Sequence, residues 1–172
     1  MIYLLIGFLP ALTLNISTSR SDQNLLETIS LPPGFGIELY ATDVVNARAM
    51  ALGDNGTLFV GSRSAGKIYA LVDENEDMYA EKMYIISERL QAPSGVTFRD
   101  GSLYASAVDR ILRFDDIENS LNNPPSPVVV TDNLPNERHH GWKFIDFGPD
   151  DMLYVPVGAP CNVCIRPDPF SS

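Results

Sequence analysis

The two histidines of the chain, His139 and His140, are adjacent and stand in the segment RHHGWK, residues 138–143. Histidine is the side chain best suited to act as a base near neutral pH, because its ordinary pKa lies close to neutrality. The segment is therefore the first candidate for acid–base chemistry. The simpler interpretation is a metal-free surface pair, or a histidine that only braces the strand that follows.

Three neighbours of the histidines could contact a substrate or a cofactor. Arg138 and Lys143 carry positive charge, and Trp142 is the only tryptophan of the chain. A tryptophan offers a large apolar ring with one polar N–H group. The alternative for Trp142, and the one we favour from sequence, is a core anchor between structural units.

The two cysteines lie close together as Cys161 and Cys164 in the segment CNVC. Two thiols cannot complete a tetrahedral zinc site. A thioredoxin-like motif would open a helix, but RPDP follows, and proline disfavours a helix there. We predict a structural loop, with a local disulfide if the protein is exported.

An internal repeat predicts the elements that position these residues. Each repeat is a short apolar strand, a tight turn with Asp or Gly, and a second strand that begins with leucine, an aromatic residue and a small residue. Leu58, Leu103 and Leu153 mark it, 45 and 50 residues apart. Periods of about 40 to 50 residues indicate the four-stranded blades of a β-propeller. A β-sandwich is the alternative, but it does not require so regular a repeat. The repeated segments are residues 49–60, 95–105 and 143–155.

The remaining strands of each blade follow from apolar runs between the repeats. Residues 67–72 and 110–114 are predicted as third strands, and residues 83–87 and 127–131 as outer fourth strands. Residues 115–121 are predicted as a helical turn with acidic residues near its positive end. The chain thus holds two full blades and the start of a third.

In a four-stranded meander, successive turns lie at opposite ends of the strands. A propeller built from such blades therefore has two rims, each formed by every second turn. The tight turns between first and second strands share one rim, which we call the tight-turn rim. The opposite rim, called the varied rim, has longer loops and more reactive side chains, so function is expected there. It comprises residues 62–66 with Arg63, 90–94, 107–109, 132–141 and the segment from residue 158 onward.

Composition excludes some partners. The formal net charge of −10 opposes binding to nucleic acid or to an anionic membrane. Residues 2–14 are mostly apolar and resemble the hydrophobic core of a secretory signal, too short for a stable membrane span. Residues 1–24 are therefore predicted as a leader with a polar spacer, for a periplasmic or extracellular protein. The alternative is a wrongly assigned N-terminus. Residues 29–172 are predicted as the N-terminal part of a truncated propeller domain.

Several segments resemble one known family. The segments are LPPGF, YA, ARAM and VGSR within residues 31–63, RHHGWKF at 138–144 and LYVPVGAPCNVC at 153–164. From about residue 29 to 164 the chain resembles the sorbosone dehydrogenase-like family. That family is similar to the soluble sugar dehydrogenases that use pyrroloquinoline quinone (PQQ), such as glucose, pyranose and aldose dehydrogenases. The resemblance implies about two and a half blades of a six-bladed, all-β propeller.

The resemblance also implies a site. In those dehydrogenases a His-x-x-Gly-Arg or His-x-Gly-Gly-Arg stretch supplies the base. With Lys143 on the motif's arginine, His139 falls on the catalytic histidine and His140 on the variable position, where it positions the loop. Trp142 replaces a glycine, and Lys143 replaces an arginine with different hydrogen-bonding geometry. Arg63 lies in a loop that approaches substrate in the relatives, although a salt-bridged surface role is its simpler interpretation.

The implied activity is oxidation of a sugar or related aldehyde, with hydride passing to PQQ and electrons leaving to an external acceptor. Calcium is implied with PQQ. Its ligands are expected from later blades, so no metal site is predicted within these residues. Two alternatives stay open: a non-catalytic propeller that serves as a binding or scaffold module, and a lactonase-type hydrolase, which would need metal-binding acids on the varied rim.

Overall fold

The computed structural model describes residues 2–7, 26–159 and 161–163, and these are all-β apart from one short 3₁₀ turn. Among them, no helix is long and apolar enough to cross a membrane. The strands are β1 (Ile2–Gly7), β2 (Phe35–Ala41), β3 (Ala47–Leu52), β4 (Leu58–Ser62), β5 (Ile68–Val72), β6 (Lys82–Ser87), β7 (Val96–Arg99), β8 (Ser102–Ser106), β9 (Ile111–Phe114), β10 (Val128–Thr131), β11 (Asp146–Phe147) and β12 (Leu153–Tyr154).

The strands form successive antiparallel sheets in chain order. One sheet has the order β3-β4-β5-β6 and the next β7-β8-β9-β10, while β11 pairs with β12 as the start of a third. Every neighbour in these sheets is also the next strand in sequence, which is the up-and-down meander of propeller blades. The predicted fold, two and a half blades of a β-propeller, is confirmed.

The core consists of two apolar clusters, because the central strands carry apolar side chains on both faces. One cluster lies between the first two blades, and the other lies between the first blade and β2. Phe59 of β4 is fully buried in the cluster that joins the two blades, with Leu103 and Phe114 of the second. The next residue, Val60, belongs to a separate cluster with Tyr40. Successive side chains of a strand point to opposite faces, so β4 packs on the second blade with one face and beside β2 with the other.

The tight turns contain residues with positive φ, at positions where the sequence has Asp or Gly. Asp100 and Gly101 both have positive φ, 49° and 74°, and join β7 to β8 as a two-residue hairpin turn. Gly56 and Asp151 also have positive φ in the corresponding turns of the other two sheets. These turns are predictable locally because Asp, Asn and Gly tolerate left-handed backbone better than other residues.

The predicted helical turn is present as a 3₁₀ turn, Ile117–Asn119, with Glu118 as the acidic residue of its first turn. Asp116 at its start makes no side-chain cap. Instead, both carboxylate oxygens of Glu118 accept the backbone N–H of Asn55, at 3.2 and 3.1 Å. The turn thereby joins the second blade to the first tight turn.

The N-terminal residues contribute one strand. β1 pairs antiparallel with β2 over Ile2–Gly7. Residues 8–25 lie outside the described residues, so the prediction of a leader over residues 1–24 stays a prediction.

Candidate functional site

The loops assigned to the varied rim lie side by side. The backbone N–H of Val108, in the loop after β8, donates to the carbonyl of Gln91 in the connection between blades, at 3.1 Å. Arg63, in the loop after β4, donates its backbone N–H to Asn46 ahead of β3, at 3.2 Å. The histidine segment follows the second blade and lies against these loops.

Lys143 anchors the histidine segment from inside the protein. It is only 2% exposed, and its Nζ donates hydrogen bonds to the carbonyl oxygens of Val108 and Gly141. Its own carbonyl accepts a hydrogen bond from Ser106 Oγ at 2.9 Å. Burial lowers the pKa of the ammonium, while the negative charge of Asp109 acts in the opposite direction. Lys143 lines a cavity described below, but its charged group is directed to backbone carbonyls.

His140 is tied to the segment that follows β12. Its Nδ1–H donates to the carbonyl oxygen of Ala159 at 2.9 Å. A carbonyl can only accept, so neutral His140 carries its proton on Nδ1 and leaves Nε2 as an acceptor. Its backbone has φ 56°, in the left-handed region. Gly158 makes the close approach possible, because a Cβ there would collide with the His140 carbonyl oxygen.

His139 is exposed and makes no side-chain hydrogen bond within the described part of the chain. Its ring centroid lies 4.0 Å from that of His140, with the planes tilted by 36°. The two histidines are therefore in contact but differ in surroundings. One is held by a backbone carbonyl, and the other presents its ring nitrogens to solvent.

Trp142 is 36% exposed, so its interpretation as a buried core anchor is wrong. The guanidinium carbon of Arg63 lies 4.3 Å from the centroid of the Trp142 ring, a cation–π contact across 79 residues of sequence. Arg63 is exposed and pairs with no carboxylate among the described residues, so a salt bridge of Arg63 stays a prediction. The His140 ring approaches Trp142 edge-on, with centroids 6.3 Å apart.

Two cavities share Trp142 and no other residue. The inner cavity, about 370 Å³, reaches the innermost strand β3. The outer cavity, about 360 Å³, opens among the loops of the varied rim. Both fall within the range of roughly 300 to 1,000 Å³ that small-molecule sites occupy. The inner cavity is lined by Ala47, Arg48, Ala49, Ser94, Trp142, Lys143 and Phe144. The outer cavity is lined by Arg63, Ser64, Leu90, Gln91, Ala92, Val108, Arg138 and Trp142.

Several polar side chains that line these cavities have no ion-pair or hydrogen-bond partner among the described residues. Arg48, Arg63 and Arg138 form no ion pair with a carboxylate of residues 26–159 or 161–163. Ser94, 4% exposed, has the one buried side-chain oxygen that lacks a hydrogen-bond partner in the same part of the chain. A buried hydroxyl without a partner is uncommon in folded proteins, so Ser94 Oγ is a candidate contact for a bound polar group. The three arginines are exposed and can reach a ligand from solvent.

Arg48 and Ser94 were not among the residues predicted for the site. A signal for Arg48 exists in the sequence, since it is the only charged residue of strand β3. Ser94 carries no comparable signal, because its lack of a partner depends on packing between the two blades.

The acidic residues that could hold a metal lie elsewhere. Carboxylate oxygens of Asp73, Asp77 and Glu81 lie within 4.8 Å of one another, in the loop between β5 and β6. A third-to-fourth strand loop belongs to the tight-turn rim, away from the histidines. Among the described residues this is the one such group. No comparable group of acids lies on the varied rim within the described residues, where a lactonase-type hydrolase would need one.

The cysteine prediction falls partly outside the described residues. Cys161 is disulfide-bonded. Cys164 lies outside the described residues, so a local Cys161–Cys164 bridge stays a prediction. The segment stands just after Ala159, the hydrogen-bond partner of His140.

Comparison with solved structures shows the same fold at low sequence identity. The PQQ domain of pyranose dehydrogenase from Coprinopsis cinerea, in its holo form, aligns with a TM-score of 0.58 and 14% identity, over 70% of this chain and 30% of that one. A Trichoderma reesei protein of carbohydrate-active enzyme family AA12 aligns with a TM-score of 0.61 and 18% identity, over 73% and 33%. The PQQ-bound aldose sugar dehydrogenase from Streptomyces coelicolor gives 0.52 and 23%, over 72% and 41%.

Sequence comparison assigns the family. The chain is 26% identical over 162 residues to an uncharacterized protein of Borreliella burgdorferi, an alignment that covers 88% of this chain and 41% of that protein. The chain thus spans less than half the length of the relatives it matches. Residues 21–166 match the family model described as a domain of unknown function, DUF7133. With most of its length inside that match and two and a half propeller blades in its structure, the chain belongs to the DUF7133 family.

Proposed function

We propose that this chain is part of a PQQ-dependent dehydrogenase that oxidises a sugar or a related aldehyde. The observation that carries the proposal is the varied rim, where two cavities are lined by Trp142 and by arginines that have no carboxylate partner among the described residues. The histidine pair lies beside them, with the His140 ring edge-on to Trp142. The likeness in fold to PQQ-containing sugar dehydrogenases supports the same reaction class. The electrons would pass to an external acceptor.

The inner cavity fits a planar, anionic quinone. Arg48 has no carboxylate partner among the described residues, and Ser94 Oγ lacks a hydrogen-bond partner there. A carboxylate and a hydrogen-bonding oxygen would satisfy both groups. We assign Arg48, Ser94 and Trp142 to cofactor binding. When bound, PQQ would supply the acceptor for the hydride that leaves the substrate carbon. Calcium is proposed with it, with ligands from outside these residues.

The protein's own contribution would be proton transfer and positioning. His139, free of side-chain hydrogen bonds in the described structure, would take the proton of the substrate hydroxyl. His140 would hold the loop through Ala159. Lys143 would keep both histidines in place through its hydrogen bonds to Val108 and Gly141.

One observation favours a second candidate, a non-catalytic propeller that binds a ligand or a partner. Lys143 stands where the resemblance expects an arginine at the site, and its charged group is directed to backbone carbonyls. A chain that had lost its cofactor could retain such a lysine for stability alone. The two candidates differ in whether PQQ binds.

The test uses the full-length protein, loaded with PQQ and calcium and assayed by reduction of an artificial dye. Aldoses and sorbosone form the substrate panel, and His139→Ala serves as the matched variant. We expect turnover of at least one substrate and its loss in the variant. Bound PQQ without turnover would contradict the enzyme class, and failure to bind PQQ would favour the non-catalytic module. We also propose export to the periplasm or the exterior, which cell fractionation would test.

A further inference from the structure

The positive charges of this acidic chain are unevenly paired. Half of the described lysine and arginine side chains contact a carboxylate: Lys82, Arg89, Arg99, Arg110 and Arg113. Arg63 and Arg138 do not, within the described residues, and both line the outer cavity. In a chain of net charge −10, two arginines left unpaired in one cavity indicate an anionic ligand.

The geometry of Arg63 leaves its hydrogen-bond donors available. Its guanidinium lies over the Trp142 ring, with its carbon 4.3 Å from the ring centroid. A stacked guanidinium uses its flat face and keeps the in-plane N–H groups free for a carboxylate. Arg138 is exposed beside it in the same cavity. Arg63 and Arg138 thus give the cavity two positive charges next to the Trp142 ring.

The rest of the cavity suits a small hydroxylated molecule. Ser64 and Gln91 provide hydrogen-bonding side chains, while Ala92 and Val108 provide apolar surface. A sugar ring has both hydroxyl groups and apolar C–H faces, and these suit the polar and the apolar side chains of the cavity respectively. The volume of about 360 Å³ is adequate for one sugar unit.

We infer that the outer cavity binds the carboxylate of an acidic sugar, with Arg63 and Arg138 as the carboxylate partners. The inference deepens the proposed function, on which it rests for the role of the sugar as substrate. The substrate class is then a uronic acid or another sugar acid. The inner cavity, which also includes Trp142 in its lining, is the proposed binding site of the cofactor.

Trp142 provides the measurement, because it is the only tryptophan of the chain and lines the cavity. Its fluorescence is titrated with D-glucuronate and with D-glucose, which differ by a carboxylate in place of a hydroxymethyl group. We expect glucuronate to bind at least about tenfold more tightly. Raising the salt concentration should weaken glucuronate binding and leave glucose unaffected, because salt screens charge pairs.

Variants locate the carboxylate partners. Arg63→Gln and Arg138→Gln should each weaken glucuronate binding about tenfold and change glucose binding little, as expected for loss of a charged hydrogen bond. Arg113→Gln is the matched control. It removes the same charge from a residue paired with Asp115, outside both cavities, and should leave both affinities unchanged. Midpoints rather than amplitudes are compared, since Arg63 itself lies over the fluorophore.

Several results would overturn the inference. Equal affinities for the two sugars in the unaltered protein would do so without any variant, and so would an equal effect of Arg113→Gln. PQQ also carries carboxylates. If PQQ displaces glucuronate and Arg63→Gln weakens both equally, the outer cavity is a cofactor site and the assignment to substrate is wrong.

The dye assay separates this inference from the proposed function. Turnover of neutral aldoses with no binding of glucuronate would support the proposed dehydrogenase function and contradict the inference of an acidic sugar substrate. The protein could instead bind glucuronate through the two arginines and fail to bind PQQ. That result would support the carboxylate site and contradict the proposed dehydrogenase function.

Discussion

The ammonium group of Lys143 donates a hydrogen bond to the carbonyl oxygen of Val108, and this contact joins the histidine segment to the second blade. The same nitrogen donates to Gly141, two residues before it in the chain. A buried ammonium is costly unless its donors are satisfied. The position of the histidines therefore depends on a lysine that does not face solvent.

Replacing Lys143 should destabilise the protein. Lys143→Met retains much of the side-chain volume but leaves two carbonyl oxygens without their donor, which should cost about 2 to 4 kcal/mol of unfolding free energy. Urea unfolding followed by circular dichroism would measure it. The control is Lys67→Met, whose half-buried side chain has no carboxylate partner in the described structure and should cost about 0.5 kcal/mol or less. Equal losses would contradict the anchoring role.

The two histidines should differ in their effect on turnover. His139→Ala should lower kcat by about 10²- to 10⁴-fold, the usual range for removal of a general base. His140→Ala should lose less, because its hydrogen bond to Ala159 positions the loop. Dye-reduction kinetics on the PQQ-loaded protein would measure both, with unfolding curves as the check on folding. The reverse ranking would identify Nε2 of His140 as the base.

Gly53 and Glu118 should show strong coupling. A Cβ at Gly53 would collide with the Glu118 carboxylate, which accepts the N–H of Asn55. Because that carboxylate ends a flexible side chain, Gly53→Ala should displace it and cost about the 1 kcal/mol that Glu118→Ala costs. The double variant should then cost no more than either single one. Additive losses in the double-mutant cycle would show that the two positions act independently.

Acid stability should depend on Asp109. The hydrogen bond from Arg110 is the main cause that lowers the pKa of Asp109 below its ordinary value. A carboxylate with a lowered folded pKa stabilises the fold above its unfolded pKa, about 3.9, and loses that contribution as pH falls through the folded pKa. Thermal unfolding between about pH 6 and pH 2.5 should therefore show a decline that Asp109→Asn reduces. An unchanged pH profile in Asp109→Asn would contradict this contribution.

Much of the fold could be predicted because its determinants are local. The apolar strands and the Asp-Gly turn at residues 100–101 are set by residues adjacent in sequence, and the spacing of Leu58, Leu103 and Leu153 shows the blade repeat. The alternation of turns then places the histidine segment and Arg63 on one rim. These steps require only strand geometry and turn preferences.

Tertiary structure decided what each site residue contacts. The stacking of Arg63 on Trp142, the burial of Lys143 against Val108 and the unpaired hydroxyl of Ser94 each depend on packing between different blades or loops. Sequence type does not reveal whether a lysine will find carbonyl partners or an arginine a carboxylate, because both depend on which loops meet. The spacing of the repeat and the turn preferences were enough to predict the propeller and the rim that bears the histidines. The pairing of charges on that rim was decided only when the blades packed together.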